Sequence, residues 1–278
     1  MSLDHLLTQI VQQSGGKAAY DETQSEIHPE IYFRFNSVNL VIGKRGSGKT
    51  FTTMRELLKL ALLQGNPFTQ IIYCTDKKRD DTVERFMPFF EEAGIFFHWV
   101  PTDSALELIE GITQVKANLA ADPNDKVSKK CLNYHGKGLP HTIIIFDDCI
   151  GLFKKDSKLS KKLFENRQSR ITYFLLLQDT QGLSPSMKAN IDSLTLFGGF
   201  PKNKYQILMY QLPPVDFTFD DYHRIKTSDM VRFDFLSNDV KILFRENGDE
   251  NEGFIRQNNG TGRGGWWGRE YHDYYYYY

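Results

Sequence analysis

Val38-Asn39-Leu40-Val41-Ile42-Gly43-Lys44-Arg45-Gly46-Ser47-Gly48-Lys49-Thr50-Phe51 is the stretch that decides the fold. A short apolar, β-branched run passes into the pattern G-x-x-x-x-G-K-T. Beyond it Met54, Leu57, Leu58, Ala61 and Leu62 recur at three- and four-residue spacing, the period of an amphipathic helix. Strand, glycine-rich loop and helix in that order form the context a nucleotide-phosphate cradle needs. The residue types follow from the chemistry. Glycines at 43, 46 and 48 let the backbone curl with its N–H groups turned inward. The helix that follows adds its positive amino-terminal end. The expected nucleotide-binding segment is thus Gly43, Lys44, Arg45, Gly46, Ser47, Gly48, Lys49, Thr50 and Phe51. Within it Lys49 is expected to reach the β- and γ-phosphates of a bound nucleotide, and the Thr50 hydroxyl to ligate Mg²⁺.

Such a site needs an acidic partner at the end of another buried strand. His141-Thr142-Ile143-Ile144-Ile145-Phe146-Asp147-Asp148 supplies it: a continuous apolar run of the central parallel-strand kind, closed by two carboxylates. Asp147 is expected to hold Mg²⁺ through water, and Asp148 to polarise an attacking water. Ile171 to Leu177 reads as a further buried strand ending in Gln178, an amide placed to sense the γ-phosphate or orient water.

The remaining sequence bounds the architecture. At 278 residues the chain can hold one large α/β domain or two small ones. Strands are expected at Gln70–Cys74, Ile95–Val100 and Ser193–Phe197, with a helix from Ser104 to Leu119 and a hairpin from Met230–Phe235 and Val240–Phe244. Strands alternating with helices indicate a doubly wound, mostly parallel α/β sheet flanked by helices, closed by that hairpin. The expected division is an amphipathic helix and linker over 1–30, the ATPase domain over 31–246, and a tail over 247–278. The tail is rich in Gly and Asn, ends in five tyrosines, and reads as disordered. Leu3, Leu6, Leu7, Ile10 and Val11 carry the amino-terminal helix.

A formal net charge of −1 gives no global basic field, so contact with nucleic acid must come from local patches. Two are evident. Residues 121–140 form a polar insert read as a long loop, with Lys126, Lys129, Lys130 and Lys137. Lys154, Lys155, Lys158, Lys161, Lys162, Arg167 and Arg170 follow the acidic strand. Cysteines at 74, 131 and 149 form no C-x-x-C pair and indicate neither zinc nor a disulfide framework. His135 and His141 flank a glycine-rich loop and read as loop residues rather than metal ligands. The start lacks the basic character of a signal peptide, and no apolar stretch approaches membrane-spanning length, so a soluble protein is expected.

These residues carry a resemblance. The chain resembles the genome-packaging ATPases of large double-stranded DNA viruses and virophage-type elements, a poxvirus-like branch of the FtsK–HerA superfamily. The likeness lies in Gly43 to Thr50, in Asp147-Asp148, and in the block Arg167, Ile171-Thr172, Gln178, Pro185, Lys188-Ala189-Asn190 and the strand ending at Phe197. It covers roughly residues 31 to 200. Lys188 stands where the family usually has arginine, and Asp148 where the wider superfamily has glutamate. The resemblance implies a homo-oligomeric ring, acting with capsid or portal proteins, that threads double-stranded DNA into a preformed capsid. It places the protein in the host cytoplasm or the virion, without a membrane partner. Arg167 is then the first candidate for a finger reaching a neighbour's γ-phosphate, before Arg170 and Lys188. Two alternatives remain at this stage. A GTPase is one: Asp148-Cys149-Ile150-Gly151 fits D-x-x-G, but Asn203-Lys204-Tyr205-Gln206 lacks the carboxylate that reads guanine. An ATP-gated virion assembly protein without motor activity is the other.

Overall fold

The computed structural model describes residues 33–256, apart from 34, 64–67, 137, 156, 165–168, 227–228, 238 and 247–248. The three continuous apolar runs become central strands: β1 (Val38–Ile42), β4 (His141–Asp147) and β5 (Ile171–Leu177), each buried at every position. Around them lie β2 (Phe68–Cys74), β3 (Phe96–Val100), β6 (Ser193–Phe197), β7 (Met230–Asp234), β8 (Asp239–Glu246) and β9 (Asp249–Arg256). The nine-stranded sheet has the order β3-β2-β4-β5-β1-β6-β7-β8-β9. Strands β1 to β6 pair in parallel, and β7, β8 and β9 extend one side antiparallel.

Parallel neighbours need crossovers, and helices supply them on both faces. These are α1 (Lys49–Leu63), α2 (Asp81–Glu92), α3 (Ala105–Ala121), α4 (Lys126–Cys131), α5 (Ile150–Lys155), α6 (Ser157–Phe164), α7 (Pro185–Ala189), α8 (Lys202–Tyr210) and α9 (Phe219–His223). The two-residue period of a strand sorts its side chains between the faces. Val41, Ile143, Ile145, Phe174 and Leu176 pack with α1 and α2 residues such as Met54, Leu58, Phe86 and Phe90. Leu40, Ile42, Ile144, Phe146 and Leu175 pack with α3, α6 and α8 residues such as Ile109, Leu159 and Tyr205. Helix α2 shows how local sequence sets an element. Asp80 caps it by accepting from the N–H groups of Thr82 (3.0 Å) and Val83 (3.3 Å), and Val83, Phe86 and Phe90 form its buried stripe.

Three expectations are corrected. The polar insert over 121–140 contains helix α4, started by Asp125, whose carboxylate accepts from Val127 N at 3.0 Å. The cap overrides a composition that reads as loop. Part of the tail, Asp249–Arg256, forms β9 along β8, so the hairpin is a three-stranded meander. Backbone pairing to an available edge outweighs weak strand propensity. His141 is not a loop residue: it opens β4, buried, with its ring 4.6 Å from that of Phe35. The amino-terminal helix, Arg167 and residues 257–278 lie outside the described residues.

The position of His141 has a measurable consequence. Burial, then the charges of Lys116 and Arg170, hold its pKa down to about 3. The folded protein keeps it neutral while the unfolded chain takes up a proton near pH 6.5. Stability is therefore present above that value and lost as pH falls from about 6.5 towards 3. Between pH 7 and pH 5 this group is expected to cost about 2 kcal/mol. Urea unfolding of His141→Gln at both pH values should show that much less acid sensitivity than the unaltered chain. Equal sensitivity in both would refute the assignment.

Candidate active site

Register brings the site together. Ile42 pairs with Leu177, and Asp147 with Leu176. Gly43, Gln178 and Asp148 thus each lie one residue past the carboxyl end of a strand. Because β5 separates β1 from β4, the loop and the aspartates stand two strand spacings apart, about 9–10 Å. Carboxyl ends of parallel strands are where doubly wound sheets bind ligands.

The loop has the conformation its glycines permit. Gly46 (φ 76°) and Gly48 (φ 94°) occupy left-handed backbone that other residues rarely adopt. At Gly43 the requirement is space, since a Cβ there would lie 2.3 Å from Ser47 Oγ and 3.1 Å from the Phe197 side chain. The loop is drawn tight by Ser47 N donating to Lys44 O at 3.1 Å. Ser47 Oγ is buried without a hydrogen-bond partner among the described residues, a polar atom suited to a phosphate oxygen. Lys49 is buried, and its Nζ donates to the carbonyls of Gly43 (2.9 Å) and Lys44 (3.2 Å). Burial lowers its pKa, with Asp148 and Asp147 pulling the other way. Elsewhere in the loop, Lys44 Nζ lies 6.0 Å from the Phe200 ring, Arg45 is exposed, and Phe51 packs edge-on to Phe86.

Opposite stands Asp147, 2% exposed. One of its oxygens, Oδ2, accepts from Thr50 Oγ1 (3.4 Å), from Tyr73 OH, and from Lys77 Nζ at 2.7 Å. Thr50 hydroxyl and Asp147 carboxylate are hard oxygen donors in mutual reach, a set that fits Mg²⁺. Burial and the neighbouring Asp147 push the Tyr73 phenol well above its usual range, so it remains a donor. Asp148 is more open, with φ at 57°, and its Oδ1 accepts from Gln178 Nε2 at 3.4 Å. Two carboxylates, an amide and two ammonium groups therefore converge on the mouth of the loop. Such a group can neutralise phosphate charge and direct a water by hydrogen bonds.

The structure brings together Lys49, Thr50, Asp147, Asp148 and Gln178. It does not bring Arg170 to them. Arg170 precedes β5 at the amino-terminal end of that central strand, the opposite end from the loop, donating to Leu139 O (2.8 Å), while its own carbonyl accepts from buried Lys116 (2.9 Å). Lys188, on α7, donates to Gln211 Oε1 at 2.7 Å, an oxygen that also accepts from Thr180 Oγ1. Tyr73 and Lys77 escaped the sequence reading. In sequence the first is one more apolar strand residue and the second one more lysine after a strand.

This sheet order, loop and pair of aspartates define a P-loop NTPase fold. Among solved structures the chain is similar to the DNA-packaging ATPase of Sulfolobus Turreted Icosahedral Virus, with a TM-score of 0.53 and 16% identity over 74% of this chain and 96% of that one. It is also similar to the genome-packaging NTPase of Sulfolobus turreted icosahedral virus 2, in complexes with AMP (TM-score 0.51) and AMPPCP (0.50). Both are 15% identical over 74% of this chain and 96% of the other. At these identities the likeness is one of fold. In sequence the chain is 28% identical over 160 residues to an uncharacterised protein of Acanthamoeba polyphaga mimivirus, covering 56% of this chain. The match spans 50% of that relative, so the chain accounts for about half its length. No family model matches.

Proposed function

We propose that this chain is a Mg²⁺-dependent ATPase that moves double-stranded DNA into a preformed capsid as a homo-oligomeric ring. One observation carries the reading: the glycine loop with Lys49 faces Asp147 and Asp148 across strand β5, whose carboxyl end carries Gln178. In this reading the loop N–H groups and Lys49 grip the triphosphate, and Thr50 and Asp147 hold Mg²⁺. When bound, the ion neutralises phosphoryl charge and fixes its orientation. Asp148, oriented by Gln178, accepts a proton from the attacking water, acting on chemistry more than on binding. Arg167, three residues before the tight bend at Arg170, is assigned to the neighbouring subunit's site.

The packaging role is supported by the solved structures of similar fold and by the viral source of the sequence relative. Lys126 and Lys130 are exposed on α4, and Lys158 and Lys161 on α6, as backbone-contacting lysines need to be. A packaging motor must hold every sequence, and phosphate contacts serve everywhere. A ring multiplies such weak contacts by effective concentration. Guanine reading is disfavoured: Asn203 and Lys204 lie in the first turn of α8, with Asn203 Oδ1 accepting from Lys204 N and the Lys204 ammonium 5.1 Å from the Phe200 ring. The test is ATP and GTP hydrolysis with and without linear duplex DNA of unrelated sequences. Stimulation of ATP turnover by any duplex, falling steeply with salt, is expected. Indifference to DNA, or dependence on its sequence, would remove the motor reading.

A further inference from the structure

We propose that Lys77 is a competing cation for Asp147, so that the ammonium group and a divalent metal ion exclude one another at that carboxylate. The inference rests on the reading of Asp147 as a metal-holding residue.

The position of Lys77 is built. It lies in the connection from β2 to α2, whose course is held at several points. Lys77 N donates to Thr75 Oγ1 (3.3 Å), and Lys77 O accepts from Trp99 Nε1 (3.1 Å). Beside it Asp76 Oδ1 accepts from Thr102 N (3.2 Å) and from the Thr102 hydroxyl, and Asp80 caps α2. From this braced backbone the side chain reaches Asp147 Oδ2 at 2.7 Å, closer than Thr50 does. That oxygen already takes the Tyr73 hydroxyl. With the ammonium in place it has no room for a metal or its water, and a divalent ion would meet a like charge at contact range.

The competitor can also leave at small cost. Its Nζ stands 3.5 Å from Asp80 Oδ2 and 3.8 Å from Asp148 Oδ2, so other carboxylates are in reach when Asp147 is taken. The side chain is 38% exposed, so the ammonium can also turn to water. The charge balance gives the device a purpose. Lys49 and Lys77 already offset Asp147 and Asp148, so a metal ion arriving alone gains little. One arriving with a triphosphate brings the negative charge that restores the balance. Asp147 should therefore discriminate against free metal and accept metal that comes with nucleotide.

The test uses the full chain without nucleotide and Mn²⁺ as a paramagnetic probe, its free fraction read by electron paramagnetic resonance. Lys77→Met keeps the aliphatic stem and removes the charge; far-UV circular dichroism verifies the fold. Mn²⁺ is expected to bind this variant roughly five- to tenfold more tightly than the unaltered chain. Lys77→Arg, which keeps the ion pair, should bind it as the unaltered chain does. Equal or weaker Mn²⁺ binding by Lys77→Met, including binding too weak to detect in either, overturns the competition. If binding by Lys77→Met instead survives a further Asp147→Asn change, the metal is not held by Asp147, and the site reading falls with it. A loss of triphosphate affinity in Lys77→Met with Mn²⁺ affinity unchanged would make Lys77 a phosphate ligand and also overturn the proposal.

Discussion

Lys49→Ala is expected to lower ATP turnover by at least about 10²–10³-fold, the scale on which a pre-placed charge at the reacting phosphate acts. The geometry explains why nothing nearby replaces it. Lys49 is the first residue of α1, held against the Gly43 and Lys44 carbonyls, and so is aimed into the curl of the loop. The other ammonium converging on the mouth of the loop, Lys77, stands on the aspartate side, 2.7 Å from Asp147, and not within the curl of the loop. Removing Lys49 also frees the two carbonyls it binds, loosening the loop. The fold should survive, because the lost hydrogen bonds, worth roughly 1 kcal/mol each, are offset by relief of a buried charge. Turnover and thermal melting measured on the same preparation separate these effects. Unimpaired turnover in a folded Lys49→Ala chain would falsify the phosphate-loop assignment.

Gly198→Ala is expected to destabilise the protein by about 3 kcal/mol or more. A Cβ at Gly198 would lie 2.1 Å from Lys226 O and 2.8 Å from Lys226 C. Both are backbone atoms, so no side chain can swing aside. The close approach is itself held: Gly198 N donates to Asp229 O (2.9 Å), and Tyr222 OH donates to Phe197 O (2.7 Å) while accepting from Phe200 N (2.9 Å). Displacement would reach the phosphate loop, since Phe197 is one of the side chains that confine Gly43. Gly111, in the middle of α3 with open space where its Cβ would be, is the control. There alanine should be neutral or stabilise by up to about 1 kcal/mol. Urea midpoints of the two variants should move apart by the sum of these effects divided by the denaturant slope m. A Gly198→Ala midpoint near that of the unaltered chain would show that the backbone yields.

What could be read in advance depended on whether a residue's role shows in its immediate neighbours. The loop from Gly43 to Thr50 is contiguous, and the runs ending at Asp147 and Leu177 are long and wholly apolar, so the parallel core and the convergence of Asp147, Asp148 and Gln178 were legible. Tyr73 and Lys77 were not, because each matters through a contact made across the sheet, 70 or more positions away in sequence. Strand β9 was obscured by composition: the Gly- and Asn-rich run from Asn247 hid the hairpin signal of the dipeptide Asn247-Gly248 itself. Arg170 was legible only as part of a basic run; its guanidinium donates to the Leu139 carbonyl at the amino-terminal end of β5, opposite the loop, a contact that no local pattern announces.

The pairing of β1 sets an order of events during synthesis. Its partners are Tyr173 to Leu177 on one side and Ser193 to Leu196 on the other, more than 130 residues downstream. A ribosome adding about 5–20 residues per second needs roughly 8–30 s to travel from Ile42 to Phe197. Until Ile171 to Leu177 are made, which takes most of that interval, Val38 to Ile42 have neither neighbour, and the loop that follows them has no fixed frame. A nascent chain stalled at residue 165 would hold the glycine loop and both aspartates yet could not grip a nucleotide. The first of the described strands to leave the ribosome is thus among the last to be enclosed, and the ligand that would stabilise the finished protein gives no help while it is being made.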